Sequence, residues 1–419
     1  MFEIEIDGKK ILVDPKKTIL EIAIENDIKI PYLCYDPDIP PKESCRLCVV
    51  DIKGELFPAC ATYPKEGMVI KTETEEILKV RKTNLKLLFS QHIEKCNTCI
   101  WNNKCKMLNY AREWGVAINE WEDRKIGHKE YNFKNTIIYD SSKCINCFNC
   151  VDVCEVGFLE IKNKGSFHEI VPSSKKECIY CGQCLVHCPS GAFSSFDSSL
   201  KIEEEIQKGK NVVFQVSPFV CLGMGVSNEH LIGAIRKLGV KKVFDLSLGE
   251  NLFKEREAEE LELRIQKKEK LPMLSCFCPA FVQFVKAYRK DLISNLSKVS
   301  YPHILLKEVI EEKEKDAVVV SVLPCTAVKY KSNDYILTTH ELSRMLKKNK
   351  IDFNDVSSFD EILEAQESEK VKTIYGILNA KKALESLDAN FLRVEACPKG
   401  CAFGGGQLVP TKKRLFGAF

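Results

Sequence analysis

Eight cysteines between residues 144 and 188 constrain this chain more than any other feature. Cys144, Cys147, Cys150 and Cys154 follow a C-x2-C-x2-C-x3-C spacing, which recurs as Cys178, Cys181, Cys184 and Cys188 ahead of Pro189. Thiolates so spaced hold [4Fe-4S] cubanes, and the fourth cysteine of each run ligates the other cluster. The expected sets are Cys144, Cys147, Cys150 with Cys188, and Cys178, Cys181, Cys184 with Cys154. Glu155 stands where proline usually follows the first run, and the ligands are intact.

The 21 cysteines of the chain are clustered in this way rather than spread at the wide spacings of a secreted disulfide scaffold. The pattern points to metal in a reducing, cytoplasmic setting. The opening MFEIEIDGKK has neither an apolar signal core nor a twin arginine, and no apolar run reaches membrane-spanning length. With 419 residues and 45% hydrophobic content the chain can bury two to four cores. A net charge of +3, with acids and bases nearly balanced, lacks the basic footprint that nucleic-acid binding needs.

At the start, Phe2, Ile4 and Ile6 alternate with polar residues, Asp7-Gly8 signals a hairpin, and Ile11 to Val13 forms the returning strand. Thr18 and Glu21 make a capping box for a short helix. Cys34, Cys45, Cys48 and Cys60 follow, a set that suits either a [2Fe-2S] cluster or zinc. A second expected capping box, Thr72 with Glu75, opens a helix presenting Ile77, Leu78, Leu85 and Leu88 to a core. His92, Cys96, Cys99 and Cys105 then supply one imidazole and three thiolates, a complete four-ligand set. Exchanging a thiolate for a neutral imidazole removes negative charge and tunes the potential of the centre.

From about residue 206 strands alternate with helices. Val212 to Val216, Val243 to Asp245, Pro272 to Leu274, Ala317 to Leu323, Ile374 to Ile377 and Phe391 to Val394 read as strands, and Asn228 to Leu238 as a helix stopped by Gly239. This alternation predicts parallel sheets covered on both faces, with ligands outside the carboxyl ends of the strands. Cys278, Cys325 and Cys397 each follow a strand, so together with Cys401 they should form a further buried metal site. Gly404, Gly405 and Gly406 let the backbone crowd that site.

The N-terminal stretch resembles the plant-type ferredoxin domain that begins the large iron-sulfur subunit of complex I and the modular iron-only hydrogenases. The resemblance implies iron rather than zinc at Cys34, Cys45, Cys48 and Cys60, and a His-ligated [4Fe-4S] cluster at His92, Cys96, Cys99 and Cys105. The loops LPMLSCFCPAF (271–281), VLPCTAVKY (322–330) and VEACPKGCAFGGGQ (394–407) resemble the three signature loops of [FeFe] hydrogenases. By that resemblance Cys278, Cys325, Cys397 and Cys401 hold the [4Fe-4S] half of an H-cluster, and Cys401 bridges to its diiron half. It also implies α+β N-terminal iron-sulfur domains followed by an α/β H-cluster-type domain. The expected boundaries are 1–75 for the [2Fe-2S] domain, 76–130 for the His/Cys3 domain, 131–205 for the two-cluster ferredoxin and 206–419 for the shortened H-cluster domain.

The departures from the family pattern bear on activity. Phe277 falls where the family has its proton-donor cysteine, and Cys276, one residue earlier, is the surrogate carrier. Val328 replaces the lysine that contacts a cyanide ligand, leaving Lys329 to reach instead. Leu323 and Glu395 replace pocket methionines, and His303 a glutamine near a diatomic ligand. Only 71 residues separate Cys325 from Cys397, about half the family spacing. Glu257, Glu260 and Ser297 match the outer proton relay, although EREAEELELR on its own reads as a solvated acidic helix. Cys221 has no assigned ligand role and is expected to pack as a small hydrophobe. Lys347, Lys348 and Lys350, and Lys412, Lys413 and Arg414, are read as helix-end and tail cations rather than a docking patch.

The expectation is a hydrogenase-like oxidoreductase with one [2Fe-2S], three [4Fe-4S] and one further [4Fe-4S] centre, the last with its diiron unit. It interconverts H2 with protons and electrons, slowly or as a hydrogen sensor. The alternative is an electron-transfer subunit without the diiron unit. The family implies a flavin- and NAD-binding subunit or a soluble ferredoxin as partner, within a hetero-oligomer.

Overall fold

The computed structural model of the chain describes residues 1–92, 105–120, 128–164, 167–361, 373–386 and 389–408. It divides into two compact units, Met1–Tyr131 with Tyr139–Pro172 and His187–Phe193, and Asn132–Ile138 with Ser173–Val186 and Ser194–Phe419. The stretch 131–205 contributes residues to both units. Its first cysteine run and Cys188 belong to the first unit, and Cys178, Cys181 and Cys184 to the second.

In the first unit a five-stranded sheet runs in the order Lys9–Val13, Phe2–Ile6, Val69–Lys71, Val49–Ile52, Glu55–Pro58. Asp7 and Gly8 both take positive φ, as the hairpin signal requires. Helix Ile19–Glu25 has the expected Thr18/Glu21 capping box and buries Ile19, Leu20, Ile22 and Ala23 with Ile4 and Ile6 of the sheet. The second box does not form. Thr74 caps helix Glu75–Phe89, its Oγ1 accepting from Ile77 N at 3.1 Å, while Thr72 donates through N and Oγ1 to Asp7 at 2.7 and 2.6 Å. Ile77, Leu85 and Leu88 are buried as expected, but Leu78, one residue round the helix, is exposed. The buried face packs on Cys34, Cys45, Leu47, Ile145 and Cys147.

The second unit holds two wholly parallel sheets. One runs Lys242–Asp245, Asn211–Val216, Ala317–Leu323, Tyr335–Thr338, and the other Met273–Leu274, Phe391–Glu395, Thr373–Tyr375. Val212, Phe214 and Val216 pack into one core cluster and Val213 into another, so this strand is covered on both faces, as its apolar run implies. Tyr335–Thr338 escaped the sequence reading because its four residues merge into the capping box of the next helix, Thr339–Lys348. Lys347 and Lys348 lie in the last turn of that helix, the helix-end position read from the sequence. Lys412, Lys413 and Arg414 lie outside the described residues.

Candidate metal centre

The carboxyl ends of Met273–Leu274, Ala317–Leu323 and Phe391–Glu395 open into a shared pocket. Its walls carry Cys278, Cys325, Cys397 and Cys401, with Cys181 beside them. The strand ends come from both sheets, so the site lies where two parallel layers deliver their loops. Burial raises all four thiols and pushes Cys325 up to about 12; the charge of Glu395 adds to it at all four, and that of neighbouring cysteines at Cys325, Cys397 and Cys401. Four thiolates so placed cannot coexist without a cationic centre. Among the described residues no three His, Cys, Asp or Glu side chains converge on a single ion. The four thiols line one pocket, and four thiolates are the donor set that a [4Fe-4S] cubane takes. Ala396 N donates to Cys278 Sγ at 3.4 Å, the kind of contact that tunes such a cluster.

The triple glycine lies against other segments of the chain. A Cβ on Gly404 would stand 2.3 Å from Pro324 O, and one on Gly405 2.4 Å from Gly182 Cα. The loop after Cys401 therefore lies directly on the loop that bears Cys181.

The rest of the pocket differs from a hydrogenase-like wall in instructive ways. Phe277 lines it, as do His303, Tyr301, Glu250, Glu395 and Val328. Burial depresses the His303 imidazole to about 4, so it is neutral near pH 7. Lys329 is a correction to the expected cofactor contact. Its Nζ donates to Glu341 at 2.7 and 2.8 Å and to Phe196 O at 2.7 Å, away from the pocket. Lys329 and Glu341 are both buried, and an ammonium there is fixed by the carboxylate that desolvation obliges it to meet. Behind Phe277 lies Arg393, with its guanidinium carbon 3.7 Å from the ring centroid. Arg393 is 8% exposed, and among the described residues its Nε has no hydrogen-bond partner. A desolvated cation–π contact contributes about 2 kcal/mol, against a burial cost of several kcal/mol for a charge. Phe277 alone does not compensate Arg393.

Glu257 and Glu260 sit on helix Ser247–Lys267, and Glu257 is buried rather than solvated. Ser275 Oγ and Cys276 N donate to Glu257 at 2.8 and 3.3 Å, while Ser297 Oγ donates to Glu260 at 2.8 Å. Burial drives Glu257 up to about 7. At Glu260 burial acts in the same direction, but hydrogen bonds from Lys298 N, Ser297 and Arg264 win and hold it low. The Cys276 thiol donates to Val299 O at 2.8 Å and faces a separate cleft lined by Ser297, Lys298 and Tyr301. The surrogate carrier is thus turned away from the four cysteines, and Phe277 stands in its place. Cys221 donates to Pro218 O at 2.9 Å and packs on the aliphatic core, as a small hydrophobe would.

Glu250, whose carboxyl burial also raises to about 7, was not anticipated from the sequence. Two carboxylic protons should therefore titrate near neutrality in the infrared C=O region. Glu257→Gln should remove one and Glu250→Gln the other. Titration confined to the ordinary carboxylate range would contradict both.

In the first unit Cys34 Sγ and Cys45 Sγ are 3.4 Å apart, and Cys48 pairs likewise with Cys60. Tetrahedral ligation with metal–sulfur distances near 2.3 Å places thiolates about 3.8 Å apart, so each pair suits one iron of a [2Fe-2S] centre. The contact with Cys45 lowers the Cys34 thiol to about 6. Cys144, Cys147 and Cys188 lie near Cys150. Burial raises Cys150, and the charges of the other three add to it. His92 Nδ1 lies 2.8 Å from Lys143 O. A carbonyl only accepts, so Nδ1 carries the proton and Nε2 the lone pair that a metal needs. Cys105 precedes helix Lys106–Trp114, and Cys96 and Cys99 lie outside the described residues.

Known proteins fall along the chain in the same order. The model of the iron only hydrogenase large subunit, C-terminal domain, matches residues 210–370. The 2Fe-2S iron-sulfur cluster binding domain matches 1–75, the NADH-ubiquinone oxidoreductase-G iron-sulfur binding region 81–119, and the 4Fe-4S dicluster domain 143–192. The chain is 28% identical to the NADP-reducing hydrogenase subunit HndD of Solidesulfovibrio fructosivorans, over 97% of this chain and 88% of that one. That alignment runs over 518 positions, more than the 419 residues here, so it spans segments that this chain lacks. Iron hydrogenase 1 of Clostridium pasteurianum is 27% identical over 84% of this chain and 69% of its own length. An NADH-quinone oxidoreductase component of Rhizobium meliloti is 33% identical over 47% of this chain and 24% of its own length.

Proposed function

This chain belongs to the modular [FeFe]-hydrogenase-like family of iron-sulfur oxidoreductases, and within it we propose an electron-transfer role. Electrons pass between a redox partner and a [4Fe-4S] cubane held by Cys278, Cys325, Cys397 and Cys401, through a [2Fe-2S] and three further [4Fe-4S] centres. His92 completes the Cys96, Cys99 and Cys105 set.

One observation carries this reading: the pocket keeps its four thiols while its other walls offer a diiron unit little. Phe277 can neither give nor take a proton, and the Lys329 ammonium is committed to Glu341. The carboxyls of Glu250 and Glu395 face the space where anionic ligands would sit. When bound, the cubane supplies a one-electron couple; the chain orients it, excludes water and brings the Cys181 loop against it. Cys401 N donates to Glu395 at 3.0 Å, which holds the last ligand loop in place.

A second reading, interconversion of H2 with protons and electrons, is supported by the Glu257 and Glu260 hydrogen bonds and by Cys401. With Phe277 at the donor position such turnover would be slowed about 10²- to 10⁴-fold, as suits a hydrogen sensor. In either reading the partner is a flavin- and NAD(P)-binding subunit or a soluble ferredoxin, in keeping with HndD, a subunit of an NADP-reducing hydrogenase. Among the described residues no helix is long and apolar enough to cross a membrane.

Infrared spectroscopy of anaerobic protein, made in cells able to mature hydrogenases, separates the two readings. We expect no metal-bound CO or CN bands, while electron paramagnetic resonance after reduction shows the C-terminal cubane besides the N-terminal clusters. Bands that shift under hydrogen would overturn the electron-transfer reading.

A further inference from the structure

We propose that the guanidinium of Arg393 is a fixed countercharge for the C-terminal cluster and sets its reduction potential. The proposal rests on the cubane reading above and adds a residue that no ligand pattern contains.

Arg393 lies on strand Phe391–Glu395, two residues before Glu395, so the two side chains share one face of the sheet. Glu395 lines the cysteine pocket; Arg393 sits one layer further out, against the ring of Phe277, which lines it too. The guanidinium is buried, its Nε is unpartnered, and no ion pair forms with it among the described residues. A buried charge in that state needs an anion nearby. The neighbouring carboxyls serve poorly. Burial raises Glu250 and Glu257 to about 7, so near neutral pH each carries its negative charge only about half the time. Glu395 is engaged with Cys401 N.

A cubane on four thiolates carries net negative charge and gains one more on accepting an electron. Net charge and surroundings set the potentials of such clusters. The positive charge of the guanidinium favours the reduced cluster without entering the electron transfer. The Phe277 ring keeps the cation at a fixed distance and excludes the water that would screen it. The substitution that removes the proton donor thus also builds the platform for the charge.

The test is a redox titration of the full cluster-loaded chain, followed by electron paramagnetic resonance. Arg393→Met should move the midpoint of the C-terminal cluster to a more negative potential and leave the N-terminal signals where they are. Arg393→Lys should restore most of the shift. Arg393→Gln serves as a second neutral variant should the methionine protein lose its clusters. An unmoved midpoint in the neutral variants, or a lysine variant displaced as far as they are, would overturn the proposal. A wild-type protein without any C-terminal cluster signal would instead overturn the cubane reading on which it stands.

Discussion

Lys329→Ala should destabilise the second unit by about 3–5 kcal/mol, the usual cost of breaking a buried ion pair from one side. Lys329 and Glu341 are 5% and 0% exposed, and Nζ reaches both carboxylate oxygens within 2.8 Å. Glu341 also accepts from Ser195 Oγ at 2.9 Å and from Thr338 N at 2.7 Å, so one carboxylate joins strand, helix cap and the 195–198 segment. Without the lysine it becomes a buried charge with neutral donors only. Lys329→Met combined with Glu341→Met should recover most of the loss, because apolar pairs of similar volume often match a buried ion pair. The recovery should fall short by about 1 kcal/mol, because Thr338 N loses its acceptor in the capping box. Thermal unfolding of the anaerobic protein, followed by circular dichroism, gives the comparison. If Lys329 instead served the cofactor, alanine would change the spectrum of the C-terminal cluster and leave the midpoint alone.

The contrast between Lys329 and the cysteines explains what a sequence can disclose. Ligand sets built from closely spaced thiols are local, so Cys144, Cys147 and Cys150 need no knowledge of the fold. Cys278, Cys325 and Cys397 are distant in sequence, but each follows a strand, and parallel sheets gather strand ends at one edge. Lys329 carries no such marker: a one-residue step along Val328-Lys329 decides which side chain faces the pocket, and only packing resolves it. Thr72 and Thr74 differ in the same way, since Asp7, a residue 65 positions away, takes the first and leaves the second to cap. Helix Ser247–Lys267 hid its chemistry because its buried positions include Glu257 and Arg264, which an apolar pattern does not reveal. Arg393 went unread as well, although it is a charge between the apolar neighbours Leu392 and Val394 of a strand.

Gly405→Ala should both strain the second unit and slow electron passage into its pocket. An added Cβ would lie 2.4 Å from Gly182 Cα, 2.5 Å from Cys181 O and 2.8 Å from Gly182 C, all backbone atoms that no side-chain rotation can clear. The neighbouring contacts resist retreat. Thr326 Oγ1 donates to Tyr180 O at 2.7 Å, Gln183 Nε2 donates to Phe403 O at 3.0 Å, and the Tyr180 and Tyr330 rings stack at 4.2 Å. Overpacking of a close contact costs about 1–3 kcal/mol, occasionally more, and relief requires the Cys181 loop to move off the Cys397 loop. Cys181 lines the pocket, so that movement lengthens the path between the two cluster sites. In rapid-freeze measurements the upstream clusters should reduce at the wild-type rate and the C-terminal cluster more slowly, with iron content unchanged. Equal rates for both proteins, with both midpoints also unchanged, would show that electrons reach the pocket without crossing the Gly182–Gly405 contact. Its two glycines would then serve packing alone.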